Sequence, residues 1–421
     1  MSGKGKKARF LEELHIRRDR MNRRWLPLLA ALLVAVWVAS GCDSSPISKL
    51  KKKAESGDAE AQYDLGECYM DGSDVKKDPA KAVEWFQKAA EQGLTEAQFR
   101  LGQCYLTGNG VPTDLSKALE WWGKAAEQGV PEAQFFLGVC YVHGHGVEEN
   151  LPKAVEWFQK AADQGFAKAQ NALGACYANG DGVEKDTAKA LEWVQKAAEQ
   201  GLPEAQYAMA WYCMNGEGVE KDLTKAMEWT QKAADQGYSN AQYWLGICCY
   251  YGVGVEKDPV RAGELLQHAV AGYQNDASWG KPTAWVDLGT CCLYGHGVEK
   301  DLARAVQWYD LAADHGNADA QYALGWCYHF GFGTDKDLAK SEECFQKAAA
   351  QGLTFTKALE FNQKMAELGF PHVQYELGLY YLDGLGVERD LAKAKEWIQK
   401  SAAQGYEDAK KALEELEAEG K

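Results

Sequence analysis

Apolar residues recur with helical spacing in short segments along most of the chain. In one such segment, four apolar side chains stand at positions i, i+4, i+7 and i+8: Ala97, Leu101, Cys104 and Tyr105. At 100° per residue these positions lie on one face of an α-helix. Gly108 and Gly110 follow the segment and are typical of a helix C-terminus and the turn after it. The pattern predicts a helix with one buried face, closed by a glycine turn.

A second apolar segment follows each glycine turn and begins at an aspartate or an asparagine. These residues stand at the expected N-cap: Asp78, Asp114, Asn150, Asp186, Asp222, Asp258, Asp301, Asp337 and Asp390. A side-chain oxygen at this position accepts hydrogen bonds from backbone N–H groups of the first turn. The inward positions of the first such segment combine small and large side chains: Ala82, Trp85, Phe86, Ala89 and Ala90. Lysine and glutamate occupy positions between them, so the second helix has a solvated outer face.

The two predicted helices form a repeat that occurs nine times. Six repeats begin 36 residues apart, and three more follow, the seventh and the ninth after longer intervals: Ala61, Ala97, Ala133, Ala169, Ala205, Ala241, Ala284, Ala320 and Val373. A period of this length is typical of arrays in which each repeat buries its apolar face against its neighbours. The chain is therefore predicted to be all-α, a solenoid rather than two or three compact domains.

The spacing of the repeats is irregular at two places. Seven additional residues lie near Tyr273 to Gly280, between repeats six and seven, and we expect them to lengthen a loop. Seventeen additional residues lie between repeats eight and nine, where residues 356–369 resemble another copy of the second helix. Such an extra helix would change the direction in which the following repeat stacks.

These features divide the body of the chain into four segments. Repeats one to six occupy residues 61–283, and repeats seven to nine occupy residues 284–408. Residues 48–60 resemble a lone second helix, and residues 409–421 resemble a lone, highly charged first helix. Because terminal half-repeats with a polar outer side cap the ends of a solenoid, we expect both to be caps.

The repeats share the pattern A-x-A-Q-Y-x-L-G-x-x-Y-x-x-G-x-G-V-x-x-D-x-x-K-A-x-x-W-x-x-K-A-A-x-x-G from Ala61 to Gly405. This pattern resembles the Sel-one-like repeat family. The resemblance implies a right-handed α/α superhelical solenoid of about nine 36-residue helix-turn-helix repeats with half-repeat caps, related to tetratricopeptide repeats. It also implies a scaffold or adaptor for protein complexes, which in bacteria often serves envelope regulation, signalling or contact with a host.

The amino-terminal residues have the features of a targeting segment. An apolar run from Trp25 to Ala39 follows Arg23 and Arg24. The run is shorter than the roughly 20 residues that a membrane span needs. Small residues directly before Cys42 resemble the lipobox of bacterial lipoproteins, which implies cleavage before this cysteine and its lipidation.

This resemblance predicts a lipoprotein signal peptide at residues 1–41, with Met21 as the true start, and a short tether at residues 42–47. Asp43 after the lipid-bearing cysteine implies the periplasmic face of the inner membrane, by the sorting rule of enteric-type bacteria. The alternative is an uncleaved signal-anchor that holds the body outside the cytoplasm by a different tether. Both interpretations place the protein in the bacterial cell envelope.

The charge of the chain is distributed unevenly. The formal net charge is −15, yet residues 1–41 contain nine lysines and arginines against three acidic residues. The remainder has 37 basic and 58 acidic residues, a net charge of −21. Because an acidic body repels phosphate groups, nucleic acid is excluded as a partner class.

Apart from Cys42, the twelve cysteines lie within the repeats. Seven of them share one core position of the first helix: Cys68, Cys104, Cys140, Cys176, Cys248, Cys291 and Cys327. Equivalent positions in stacked repeats are about 10 Å apart, beyond the roughly 7 Å that a disulfide can bridge. We interpret these cysteines as buried thiols, with a bridge between Cys327 and Cys344 left open. No further ligand joins His143 and His145, so no metal or cofactor is predicted.

Another face of the first helix has residues that are typical of a binding site. Taking the first residue of a repeat as zero, offsets 3, 6 and 10 lie together, on the side that lines the concave surface of such superhelices. Several repeats have large apolar side chains there: Phe136, Trp211, Trp244, Ile247, Tyr251, Tyr294, Trp326 and Phe330. Aromatic residues are typical anchors of binding sites. These residues predict a groove, mainly from repeat five to repeat eight, that binds a peptide or protein partner, with acidic surroundings that favour a basic one.

Three other interpretations of this face remain. A tightly wound superhelix could bury it against neighbouring helices. Its aromatic side chains could stack on a glycan or on peptidoglycan, or contact a host. A cell-wall hydrolase is the third, but no motif combines a nucleophile with a base and an orienting residue. The prediction is therefore a non-catalytic, membrane-tethered scaffold.

Overall fold

The computed structural model describes residues 45–418, which form helices and loops without a β-strand in that range. The chain divides into two compact units, unit 1 up to Leu202 and unit 2 from Pro203. The helices of unit 1 are α1 Pro46–Glu55, α2 Ala59–Asp71, α3 Pro79–Glu91, α4 Thr95–Thr107, α5 Leu115–Glu127, α6 Pro131–His143, α7 Leu151–Asp163, α8 Ala167–Asn179 and α9 Thr187–Glu199. The helices of unit 2 are α10 Pro203–Asn215, α11 Leu223–Asp235, α12 Ser239–Tyr251, α13 Pro259–Ser278, α14 Pro282–Tyr294, α15 Leu302–Asp314, α16 Ala318–Phe330, α17 Leu338–Ala350, α18 Phe355–Glu367, α19 Pro371–Asp383, α20 Leu391–Ala403 and α21 Glu407–Ala418.

Each repeat consists of two neighbouring helices, a first helix and the second helix that follows it in the chain. Repeats one to four are α2 to α9, repeats five to eight are α10 to α17, and repeat nine is α19 with α20. The helices α1 and α21 stand alone at the two ends of the described range, and α18 is the extra helix. The prediction of an all-α repeat solenoid is confirmed.

The predicted helix ends are present in detail. The carboxylate of Asp114 caps α5 by accepting a hydrogen bond from the backbone N–H of Lys117 at 3.1 Å. The first helix of the same repeat ends at Gly108, whose φ of 74° lies in the left-handed region that favours glycine. These local signals explain why nearly every helix in the array has the same length.

A glycine in the middle of each first helix receives the large side chain of the second helix. A Cβ atom built on Gly102 would lie 2.5 Å from the ring of Trp122, which is fully buried. Repeat five differs, because Ala210 replaces the glycine and the smaller Thr230 stands where the other repeats have a larger side chain. The two positions therefore change together to preserve close packing.

Glutamines link neighbouring repeats in a way that the sequence analysis missed. The Nε2 of Gln134 donates a hydrogen bond to the carbonyl oxygen of Ala126 at 3.0 Å, and Gln164 Nε2 donates to Gln134 Oε1 at 2.8 Å. This arrangement satisfies a helix-end carbonyl group inside the core. In repeat seven Trp285 and His315 replace the pair, and their rings pack with centroids 4.8 Å apart.

The seven additional residues between repeats six and seven do not form the lengthened loop that we expected. They extend α13 to 20 residues, ending at Ser278. The reason is visible in the apolar spacing, because Leu266, Ala269, Val270 and Tyr273 follow at i, i+3, i+4 and i+7, and all four are buried. The seven additional residues add about two helical turns, and the apolar face packs instead of entering solvent.

The other insertion forms a helix where the sequence predicted one. The helix α18 begins after Thr354, whose hydroxyl accepts a hydrogen bond from the N–H of Lys357 at 3.4 Å. Its buried residues Leu359, Met365 and Ala366 join one apolar cluster with residues of α10, α12 and α19. Thus α18 packs inside unit 2 rather than projecting from it.

The eleven cysteines in residues 45–418 are free thiols, and nine of them are buried. The bridge between Cys327 and Cys344 is not formed. No helix within the described residues is long and apolar enough to cross a membrane. The predicted signal peptide and the lipidation site Cys42 lie outside the residues that the structure describes.

Candidate functional site

The first helices of repeats five, six and seven form one wall of a cavity inside unit 2. Residues of α18 and α19 form the opposite wall, and the cavity has a volume of about 430 Å³. This is within the range of roughly 300–1,000 Å³ that is usual for ligand sites. The lining residues include Tyr207, Trp211, Tyr243, Trp244, Ile247, Asp287, Thr290, Tyr294, Phe361, Asn362, His372 and Glu376.

Four of the predicted groove residues line this cavity, namely Trp211, Trp244, Ile247 and Tyr294. They are not equally accessible. Ile247 is only 3% exposed, whereas Trp211 is 38% exposed. The ring of Trp244 packs on Phe370, with centroids 5.1 Å apart. These four residues of the stripe therefore lie together at a partly open cavity of unit 2.

The remaining predicted groove residues lie elsewhere. Tyr251 packs beside the cavity against His372, with ring centroids 5.6 Å apart. Trp326 stacks on Phe330 at 4.9 Å and also contacts Tyr380 at 4.7 Å. Partner binding by these residues stays a prediction.

Phe136 is separate from the others, because it belongs to unit 1. Its ring stacks on Trp122 at 5.2 Å and on Phe99 at 5.8 Å. This residue fills space between neighbouring repeats, and it is not part of the cavity.

Glu376 supplies a carboxylate to the cavity from the middle of α19. The hydroxyl of Tyr294 donates a hydrogen bond to one carboxylate oxygen, and Asn362 Nδ2 donates to the other at 3.4 Å. Burial is the main influence on this group and raises the pKa of Glu376 to about 7, against the two hydrogen bonds, which lower it. Near neutral pH the group is thus poised between its two protonation states.

Asp287 supplies a second carboxylate from α14. Burial raises the pKa of Asp287 to about 7, and the negative charges of Asp276 and Asp319 act in the same direction. No lysine or arginine in residues 45–418 lowers the pKa of either cavity carboxyl group. The cavity therefore contains acidic groups without a cation of the described chain to balance them.

Two buried histidines lie next to these groups. Tyr243 is hydrogen-bonded through its hydroxyl to His296 Nδ1 at 2.9 Å. His372 lines the cavity, is 7% exposed, and its Nδ1 has no hydrogen-bond partner within residues 45–418. Burial lowers the pKa of His296 to about 4 and that of His372 to about 3, so both are neutral at pH 7 and do not balance the carboxylates.

The sequence already contained a signal for the polar residues of the cavity. Asp287, Thr290 and Tyr294 stand at offsets 3, 6 and 10 of repeat seven, and Glu376 stands at offset 3 of repeat nine. They occupy the same stripe as the predicted aromatic residues. The prediction included only the large apolar side chains of that stripe, so it missed the two carboxylates.

No group of histidine, cysteine, aspartate and glutamate side chains among the described residues is arranged to hold a metal ion. The rings of His143 and His145 lie 5.3 Å apart, beside a glycine turn of unit 1. The arrangement of the cavity is suited to binding through aromatic contact and charge.

Comparisons with known proteins agree with the repeat pattern. A protective antigen of uropathogenic Escherichia coli strains, displaying an SLR fold, is 35% identical over 90% of this chain and 83% of that chain, with a TM-score of 0.49. A Sel1 repeat protein from Oxalobacter formigenes is 30% identical over 57% of this chain and 96% of that chain, with a TM-score of 0.49. The secretory immunoglobulin A-binding protein EsiB of Escherichia coli O6:H1 is 34% identical over 67 residues, which are 16% of this chain and 14% of EsiB.

The Sel1 repeat is matched nine times along the chain. The matches cover residues 59–94, 95–130, 131–166, 167–202, 203–238, 239–271, 286–317, 318–353 and 371–406. Proteins built from Sel1 repeats generally mediate protein–protein interactions and are generally non-catalytic. Since these matches cover well over half of its residues, the chain belongs to the Sel1 repeat family.

Proposed function

We propose that this protein is a non-catalytic scaffold of the bacterial cell envelope that binds a peptide or protein partner at the cavity of unit 2. The observation that carries the proposal is the pair of exposed aromatic side chains among the lining residues, Trp211 and Phe361, at 38% and 51% exposure. Exposed aromatic rings beside a cavity are suited to anchor a partner, because they bury a large area at little cost in rotamer entropy.

The charge of the cavity supports a basic segment as the ligand. Asp287 and Glu376 line it without a balancing lysine or arginine from the described chain. Complementary charge steers association and selects among partners. A neutral glycan would leave these carboxylates uncompensated, which makes a positively charged protein segment the better ligand.

Site-specific crosslinking in intact cells tests the proposal. A photoreactive phenylalanine analogue placed at position 211 should capture one defined partner, since the side chain at this position is exposed and lines the cavity. The same analogue at Tyr250, which is 47% exposed in α12 and does not line the cavity, is the matched control. The captured protein is then identified by mass spectrometry and purified for titration.

With the purified partner, replacing Trp211 or Phe361 by alanine should weaken binding about 30-fold or more, the effect of losing a typical hot-spot side chain. The Tyr250→Ala variant should bind as the unmodified protein does. The proposal is wrong if the same proteins crosslink from positions 211 and 250, or if both cavity variants retain full affinity. Capture of a glycan strand instead of a protein at position 211 would also contradict it.

The membrane tether is part of the proposal and is supported by the residues around Cys42. We expect metabolic labelling with a palmitate analogue to modify the protein in cells, and the Cys42→Ser variant to lose both the label and its retention in the membrane fraction. Cys68→Ser is the matched control, because this partly exposed cysteine belongs to α2 of unit 1. Label that persists in the Cys42→Ser variant, or a body that only cytoplasmic proteases reach, would refute lipid anchoring in the periplasm.

A further inference from the structure

We propose that the cavity of unit 2 is a binding site for an aliphatic ammonium group, supplied by a lysine side chain of the partner, with Glu376 as its counter-ion. The inference rests on the proposed function, because it specifies the chemical group that the partner inserts. An ammonium group has three hydrogen-bond donors and no acceptor, so its site must provide acceptors.

The acceptors lie close together on α19 and α14. Glu376 and His372 are four residues apart on α19 and therefore lie on the same face of that helix. Tyr294 joins them, because its hydroxyl donates to Glu376 and its ring packs on His372 with centroids 4.8 Å apart. One carboxylate and one imidazole thus face the same part of the cavity.

The buried imidazole is an independent sign of a missing ligand. His372 Nδ1 has no hydrogen-bond partner in the described part of the chain, although the side chain is more than nine-tenths buried. Such groups are rarely left unpaired in folded proteins, since the lost hydrogen bond to water is costly. A neutral imidazole nitrogen can accept a hydrogen bond from an ammonium group.

The rest of the cavity fits the aliphatic part of a lysine side chain. The rings of Tyr243 and Trp244 and the side chain of Ile247 line it, and a lysine stem packs well on such apolar surface. Aromatic faces also attract the cation directly. Asp287 on α14 adds a second negative charge to the same cavity.

The protonation of Glu376 then controls binding. Burial, and to a smaller extent the negative charge of Glu376, raises the pKa of six tyrosines above the ordinary value of 10.0, namely Tyr294, Tyr309, Tyr322, Tyr375, Tyr380 and Tyr406. His372 has a lowered pKa and is neutral. Among the cavity groups, only Glu376 and Asp287 change charge between pH 6 and pH 8.

Calorimetric titration of the whole protein with short capped peptides tests the site. The probes are acetyl-Ala-Lys-Ala-amide and its norleucine analogue, which keeps the aliphatic stem and lacks the charge. At pH 8 the lysine peptide should bind about tenfold more tightly or better than the norleucine peptide. Its affinity should fall about tenfold at pH 6, because less of Glu376 is ionised below its pKa.

Glu376→Gln should remove most of the preference for lysine and most of the dependence on pH, because the amide keeps the shape and loses the charge. The part that remains comes from Asp287 in the same cavity. Glu264→Gln is the matched control, since Glu264 is exposed on α13 of the same unit and should change nothing. Asp287→Asn is the second cavity variant and should weaken the lysine peptide by less than Glu376→Gln does. Circular dichroism before each titration checks that all three variants are folded.

Equal affinity for the two peptides, or a lysine preference that is undiminished in Glu376→Gln, would overturn the inference. If a partner still crosslinks at position 211 in that case, the proposed function stands and only the ammonium site is wrong. Butylammonium chloride tests whether the site prefers an ammonium group on a peptide or one on a free amine. Competition weaker than that of the lysine peptide supports a site for a peptide-borne lysine, whereas tighter binding of the free amine overturns that assignment.

Discussion

Alanine in place of Gly102 should lower the free energy of unfolding by about 2 kcal/mol, although alanine is the better helix former. Its Cβ atom would lie 2.5 Å from two ring atoms of Trp122, a distance that packed atoms do not tolerate. Trp122 is fully buried, and its Nε1 donates a hydrogen bond to the carbonyl oxygen of Phe99 at 3.3 Å. The ring therefore cannot move aside without a loss of packing elsewhere. Denaturant unfolding of the whole protein measures the effect.

Gly123→Ala is the matched control for this substitution. Gly123 lies within α5, and a Cβ atom there would meet nothing within 4 Å. Its replacement should raise stability by about 0.5–1 kcal/mol, the helix-propensity difference between the two residues. In a Trp122→Thr background, Gly102→Ala should cost much less than in the natural sequence, because repeat five combines the same two residue types at Ala210 and Thr230. Equal effects of the two glycine substitutions would show that the close approach of the ring is not what the repeat requires.

The pairing of glycine with a large ring shows which part of the fold the sequence determines locally. The position of Gly102, the cap Asp114 and the turn at Gly108 depend on neighbours within one repeat, and their roles follow from spacing and residue type. Even the exception at Ala210 and Thr230 can be recognised from the sequence, since both changes occur in the same repeat. The error at Tyr273 came from reading an insertion as a loop before testing its apolar spacing against a helix.

The cavity depends on information that a single repeat does not contain. Offsets 3, 6 and 10 correctly place Trp244 and Tyr294 on one side of their helices, and the same rule includes Asp287 and Glu376. Whether that side is open or covered depends on α18, whose buried residues pack with those of α10 and α12. Small rotations between successive repeats accumulate along a solenoid, so contacts between distant repeats cannot be derived from their separate patterns.

Replacing Glu376 by glutamine should stabilise the protein at pH 8.5 and have little effect on stability at pH 4.5. Burial raises the pKa of Glu376 from 4.5 to about 7, so the folded state holds a proton over a range in which the unfolded state has lost it. Stability therefore falls as the pH rises from about 4.5 to about 7, and the loss is complete above that range. The shift corresponds to about 3 kcal/mol, which the uncharged variant avoids.

Differential scanning calorimetry of the unmodified and variant proteins at several pH values measures this difference as a shift in melting temperature. The variant and the unmodified protein are compared at the same pH, because other groups also make stability depend on pH. Capping aspartates such as Asp186 and Asp222 have lowered pKa values and make stability rise with pH in both proteins. Asp287→Asn should behave in the same way as Glu376→Gln, since burial also raises the pKa of Asp287 to about 7. Glu264→Gln, a change at an exposed position of α13, is the control and should leave the melting temperature unchanged. A stabilisation by Glu376→Gln that is the same at pH 4.5 and pH 8.5 would mean that the carboxylate is not desolvated in the folded protein, and the charge that we assign to the cavity would then lose its physical basis.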